Sequence, residues 1–247
     1  MRDFVELPVK LACIGTQLKK FFNKYFWGML MNWFEAVDGY CERIDGSFWS
    51  EPLNAISNIF FLVAAMWVLR RGSLNNTARI LVFILGMIGI ASFLFHSFAQ
   101  TWAGALDGLF ILFFTLFYLF AASKDFLGAP RSIALVITLG YFPFAFAVDW
   151  LTSPLTFLGA TRIYMPILIL IILFSILIYT RLPTVSRGLA LGAFILIASM
   201  CARFLDEPLC QTIPIGTHFL WHVMNAVMLA WMIEVYRRHI VSQNCNI

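Results

Sequence analysis

Three of the four histidines, His96, His218 and His222, lie within long apolar stretches, and so does Asp107. An imidazole or carboxylate is expensive in hydrocarbon, so ionisable groups in such stretches mark a functional site by default. His218 and His222 are four residues apart, as are Ser92 and His96. In a helix each pair shares one face. Three imidazoles and an oxygen donor suit zinc, with the fourth position left to water in a catalytic site. Zinc lowers the pKa of that water towards about 7. Asp107 could act as general base towards it or orient a ligand, and Ser92 could donate a hydrogen bond to a developing oxyanion. The chemistry implied is hydrolysis of an acyl bond. Plainer readings exist: a His-x-x-x-His pair can simply bond neighbouring helices, and serine is common where membrane helices meet. Ser, His and Asp also suggest a serine hydrolase, but two further histidines at ligand spacing make metal chemistry simpler.

The elements that must position these residues are membrane helices. Hydrophobic residues make up 61% of 247 positions and charged residues 12%, a composition no water-soluble domain carries. The net charge of +4 is scattered between apolar runs and forms no patch for nucleic acid. A helix needs about 20 apolar residues to cross a bilayer. Seven such spans are predicted, at 53–69, 79–99, 103–123, 132–151, 161–180, 188–206 and 214–236. The fold class is therefore all-α integral membrane, with the seven-helix domain at 38–240, an extension at 1–37 and a short tail at 241–247.

Basic residues in short loops favour the cytoplasmic side. Arg70, Arg71, Arg79, Lys124, Arg131, Arg181, Arg187, Arg237 and Arg238 fall on one side, against Arg162 and Arg203 on the other. The carboxyl terminus is expected in the cytoplasm and the amino terminus outside. Before the first span, Leu18 to Val37 reads as an amphipathic helix in the interface, with Phe22, Phe26, Met29, Leu30 and Trp33 at helical spacing. On this topology His96, Asp107, Ser92, His218 and His222 all approach one level near the outer boundary, provided that helices 2, 3 and 7 are neighbours.

The pattern Ser92-x-x-x-His96, Asp107 eleven residues on, and His218-x-x-x-His222 in the last span resembles the alkaline ceramidase family. Tyr40-Cys41-Glu42 and the stretch from Glu51 to Asn58 are similar to that family's amino-terminal signature. The family belongs to a superfamily of seven-helix hydrolases that also holds the progestin and adipoQ receptors and a lipid-remodelling enzyme of GPI anchors. The resemblance implies zinc on His96, His218 and His222, with Asp107 assisting the water and Ser92 the carbonyl oxygen. The substrate implied is the amide bond of ceramide, or of a related N-acyl lipid, cleaved to fatty acid and sphingoid base. Tyr164 offers either a further oxyanion hydrogen bond or aromatic anchoring at the interface.

The resemblance also implies a calcium-binding acidic loop, matched by Glu42 and Glu51, with Asp38, Asp45 and Asn54 as further oxygen donors. Calcium takes six to eight such ligands, and Ile44 stands where the family has a polar side chain. Cys41 and Cys210 both precede spans on the outer side and could pair, which the resemblance supports. Arg203 and Asp206, three apart, are expected to pair with each other, and Asp149 to cap a helix or touch water. The competing functional class is a lipid receptor or sensor with a structural or weakly hydrolytic zinc. Against it stands the lack of a long loop for a coupling partner. Compact loops fit a bacterial inner membrane, and an endomembrane fits them too.

Overall fold

Seven apolar helices set the architecture of the chain, whose computed structural model describes residues 33–37 and 39–244. Among these residues there is no strand, and the seven helices are long and apolar enough to cross a membrane. They are α1 (Pro52–Leu69), α2 (Asn76–Phe98), α3 (Thr101–Asp125), α4 (Arg131–Thr152), α5 (Thr156–Leu177), α6 (Pro183–Leu209) and α7 (His218–Asn244). The protein is an integral, multi-pass membrane protein. Helix α1 runs as two pieces around Asn58, α4 as two pieces meeting at Gly140, and α5 opens in 3-10 turns through Tyr164.

The helices divide into inner and peripheral ones. Helices α7 and α2 are the most deeply buried of the seven and α4 the least. Leu81, Leu85 and Ile88 of α2 and Ile233 and Tyr236 of α7 carry the centre of the core. Outward-facing residues are as apolar as the core, with Phe83 64% and Phe194 68% exposed. Such faces are stable only against lipid, where burial of apolar surface gives no drive between helices and close packing must supply it. Two glycines provide that packing. A Cβ on Gly188 of α6 would lie 2.7 Å from Val235 of α7, and one on Gly89 of α2 would lie 2.8 Å from the Cβ of Phe61 in α1. Neither pair of helices could approach as closely with a larger residue.

The ends of the spans differ from the sequence expectation where caps intervene. The last helix starts at His218 rather than near Pro214, because Gly216 adopts φ +66° and Asp206 Oδ1 accepts the backbone N–H groups of Thr217 and His218 at 2.7 and 2.9 Å. Those are orphan donors of the first turn, which a carboxylate satisfies and whose dipole it complements. Asp206 is thereby committed to α7 and does not pair with Arg203. The end of the expected interfacial helix also differs: residues 33–37 hydrogen-bond to the α2–α3 turn, Val37 N to Ala99 O at 2.7 Å and Thr101 N to Glu35 O at 3.0 Å. Residues 18–32 of that expected helix lie outside the described residues. Asp149 pairs with Arg162 at 3.0 Å.

Candidate metal centre

His96, near the end of α2, and His218 and His222, in the first two turns of α7, meet at one end of the bundle. One ring nitrogen from each lies within 4.8 Å of the others, and all three side chains are buried. Ring centroids are 4.6 to 5.1 Å apart. The adjacency expected of helices 2 and 7 is present. Helix α3 packs on α2 and reaches α7 where the Tyr118 hydroxyl donates to the Met232 carbonyl at 3.1 Å.

Hydrogen bonds decide which nitrogen of each ring is available. Glu51 Oε2, an acceptor, sits 2.6 Å from His96 Nδ1, so that nitrogen carries the proton and Nε2 keeps its lone pair. The Ser57 hydroxyl donates to the Asn54 carbonyl at 2.9 Å, which leaves its oxygen to accept from His222 Nδ1 at 2.7 Å. His222 Nε2 is free in the same way. His218 Nδ1 is buried without a hydrogen-bond partner, while the His218 ring stacks on Tyr40 at 3.9 Å. Histidine metal ligands characteristically give their second nitrogen to a carboxylate, carbonyl or other acceptor, so two of the three rings have the outer partners a metal site requires. Burial pushes the Glu51 carboxyl up, but hydrogen bonds from His96 and Arg43 more than offset it and leave the group below the ordinary glutamate range. It is an anion where an anion is needed.

Asp107 on α3 and Ser92 on α2 line a cavity with His222, Tyr164 and Trp221. The Ser92 hydroxyl lies beside the Asp107 carboxyl, and Asp107 Oδ1 is buried with no protein partner. Tyr164 packs on Trp221 with centroids 4.4 Å apart. The cavity continues away from these polar groups among apolar side chains, past Ile111, Phe114, Leu189 and Met228 to Tyr118 and Met232. The cavity is thus polar beside His222, Ser92 and Asp107 and apolar beyond them.

Residues 39–245 match the family model of ceramidases. The chain belongs to the ceramidase family. No curated protein matches it significantly. The family is one of ceramide-hydrolysing membrane enzymes, so a lipid substrate and a hydrolytic reaction follow for this chain. The expected partner of Cys41 is also present: Cys41 and Cys210 form a disulfide with Cα atoms 5.2 Å apart, joining the acidic loop to the segment before α7.

Among the described residues the acidic loop is not arranged as a calcium cradle. The Glu42 carboxylate accepts from Leu53 N and Asn54 N at 2.7 Å each and caps α1. Glu51 takes Arg43 on one oxygen and His96 on the other, with Asn54 Nδ2 at 3.1 Å. Asp45 is exposed and accepts from Ser47 N at 2.9 Å. Asp38 lies outside the described residues. The guanidinium of Arg43 sits among these oxygens, on Glu51 Oε1 and the Asp45 carbonyl, so the described donor set does not fit a divalent cation. Glu51, which the resemblance offers as a calcium ligand, stands behind His96. Ser57 and Arg43 were not singled out as site residues. For Ser57 a polar face was legible, since Glu51, Asn54, Ser57 and Asn58 put polar groups at three- and four-residue spacing at the start of an apolar span, but not its role; for Arg43 there was no such signal.

Proposed function

We propose that this ceramidase is zinc-dependent and cleaves the amide bond of ceramide or a related N-acyl lipid, with His96, His218 and His222 holding the metal. The observation that carries the reading is the convergence of three buried imidazoles, two of them with Nδ1 committed to Glu51 and Ser57. Bound there, zinc would supply a water whose pKa is lowered to about 7 and polarise the scissile carbonyl.

The chain's own groups divide the remaining work. Asp107 accepts the proton of the attacking water and passes it to the departing amine nitrogen. Its unpartnered Oδ1 is the atom available for that transfer. Ser92 and Tyr164 donate hydrogen bonds to the carbonyl oxygen as charge builds on it, an interaction worth most in a site closed to water. The apolar part of the cavity takes an acyl chain and keeps the amide at the level of the histidines. A ceramide amide lies at the head-group boundary while its tails lie in the core, so substrate and site meet at one depth. The amino-terminal side of the bundle then faces outward and the carboxyl terminus the cytoplasm, and the compact loops favour a bacterial inner membrane.

The test is release of fatty acid from labelled ceramide by the detergent-purified protein, run beside His222→Ala, with metal content measured on both. Hydrolysis and about one zinc per chain, both lost in the variant, are expected. A wild-type protein that hydrolyses ceramide with no bound metal would overturn the zinc reading.

A further inference from the structure

The Arg43 side chain is enclosed by oxygen atoms of three residues, Asp45 and Glu51 of its own loop and His96 of α2. Its Nε donates to Glu51 Oε1, one terminal amino group donates to the Asp45 carbonyl at 3.0 Å, and the other donates to the His96 carbonyl at 2.9 Å. The side chain is 5% exposed and Glu51 2%. Through these bonds the guanidinium touches the backbone of one histidine of the triad and the carboxylate that fixes the same histidine's ring. An arginine presents its donors in a rigid planar fork and stays charged when buried, so it can bind several acceptors at set angles.

We infer that Arg43 is a positioning residue that fills, as part of the chain, the structural place of a loop cation: it holds Glu51 against His96 and makes the metal centre independent of calcium. The inference rests on the zinc reading given above. Glu51 has two carboxylate oxygens, one for Arg43 and one for His96 Nδ1. With the guanidinium in place Glu51 is aimed at His96 Nδ1, and His96 keeps Nε2 free for metal. With it removed, a buried carboxylate loses its guanidinium partner, and three oxygens are left facing one another: Glu51 Oε1 and the carbonyls of Asp45 and His96. Such a set repels itself until a cation enters. The loop is already tied down by Cys41–Cys210 and by Glu42 on the first turn of α1, so it cannot easily open to disperse those oxygens.

The experiment uses the full-length protein in calcium-stripped detergent buffer, with calcium chloride added back in steps. Zinc retention against a competing chelator, thermal unfolding and ceramide turnover are followed for wild type, Arg43→Ala and Arg43→Lys. Wild type should show the same unfolding temperature and turnover with and without calcium. Arg43→Ala should hold zinc about 10- to 100-fold more weakly, the usual effect of losing an outer partner of a metal ligand, and should recover part of that loss when calcium is added. Arg43→Lys keeps the charge but loses the fork and should lie between the two. Calcium binding to wild type with a rise in its unfolding temperature would overturn the inference without any variant. Zinc retention in Arg43→Ala equal to wild type would overturn the positioning role. Absence of zinc from wild type itself would instead overturn the zinc reading on which the inference stands.

Discussion

Helix α7 carries buried histidines near both ends, and His222 and His239 have opposite fates. His222 is 2% exposed and His239 6%, so burial does not separate them. At the His239 end the ring donates Nε2 to the Asp125 carbonyl at 3.1 Å and packs edge-on against Phe126, while Tyr236 donates to Asp125 Oδ2 at 2.6 Å. The polar atoms there satisfy one another and tie α7 to the end of α3. At the His222 end the hydrogen bonds point outward from the histidines, to Ser57 and Glu51, and leave lone pairs facing inward. A buried polar group closed by its partners is a structural tie, whereas one whose partners orient a free lone pair inward is placed to serve as a ligand.

Exchanging the two ends by mutation gives the largest effect. His218→Ala should abolish zinc binding and turnover together, while His239→Ala should keep both and lower stability by about 1 kcal/mol for the lost hydrogen bond, read as metal content, fatty-acid release and thermal unfolding of the pair. Loss of zinc from His239→Ala would erase the distinction. Next in size is Asp107→Asn, which keeps the shape of the cavity but removes a base. Zinc content should be unchanged and the turnover number should fall roughly 10²- to 10⁴-fold, so normal turnover would remove Asp107 from the chemistry. The smallest change, Ser57→Ala, deletes only the acceptor behind His222. Metal affinity should fall about 10- to 100-fold with turnover restored at saturating zinc, and unaltered affinity would show that Ser57 orients nothing.

The comparison also separates what was legible in the chain from what was not. His96, His218, His222, Ser92 and Asp107 stand out because each is polar at a recognisable helical spacing inside an apolar run. Arg43, Glu51 and Ser57 stand in or beside a polar segment at the start of α1, where charged and hydroxyl residues are ordinary, and nothing in their spacing distinguishes a metal ligand from a histidine orienter. The resemblance offers Glu51 as a calcium ligand, whereas the structure gives its two oxygens to His96 Nδ1 and Arg43 Nε. Arg203 and Asp206 show the same effect in a pair: three residues apart they suit one another, yet Asp206 caps α7 and binds Cys41 N at 3.1 Å, while Arg203 donates to the Tyr40 hydroxyl at 3.1 Å.

What the sequence determined by itself is the membrane class, the seven spans and the set of ionisable residues inside them. Hydrophobic length and the cost of burying charge act residue by residue along a chain, so they can be read without knowing any neighbour. What only the tertiary structure decided is which nitrogen of each histidine is free, which carboxylate stands behind which ring, and that a guanidinium occupies the middle of the acidic loop. Those depend on contacts between residues 45 and 165 positions apart, His96 with Glu51 and His222 with Ser57. Hydrogen bonds are directional and short-ranged, and their partners exist only once the helices have packed.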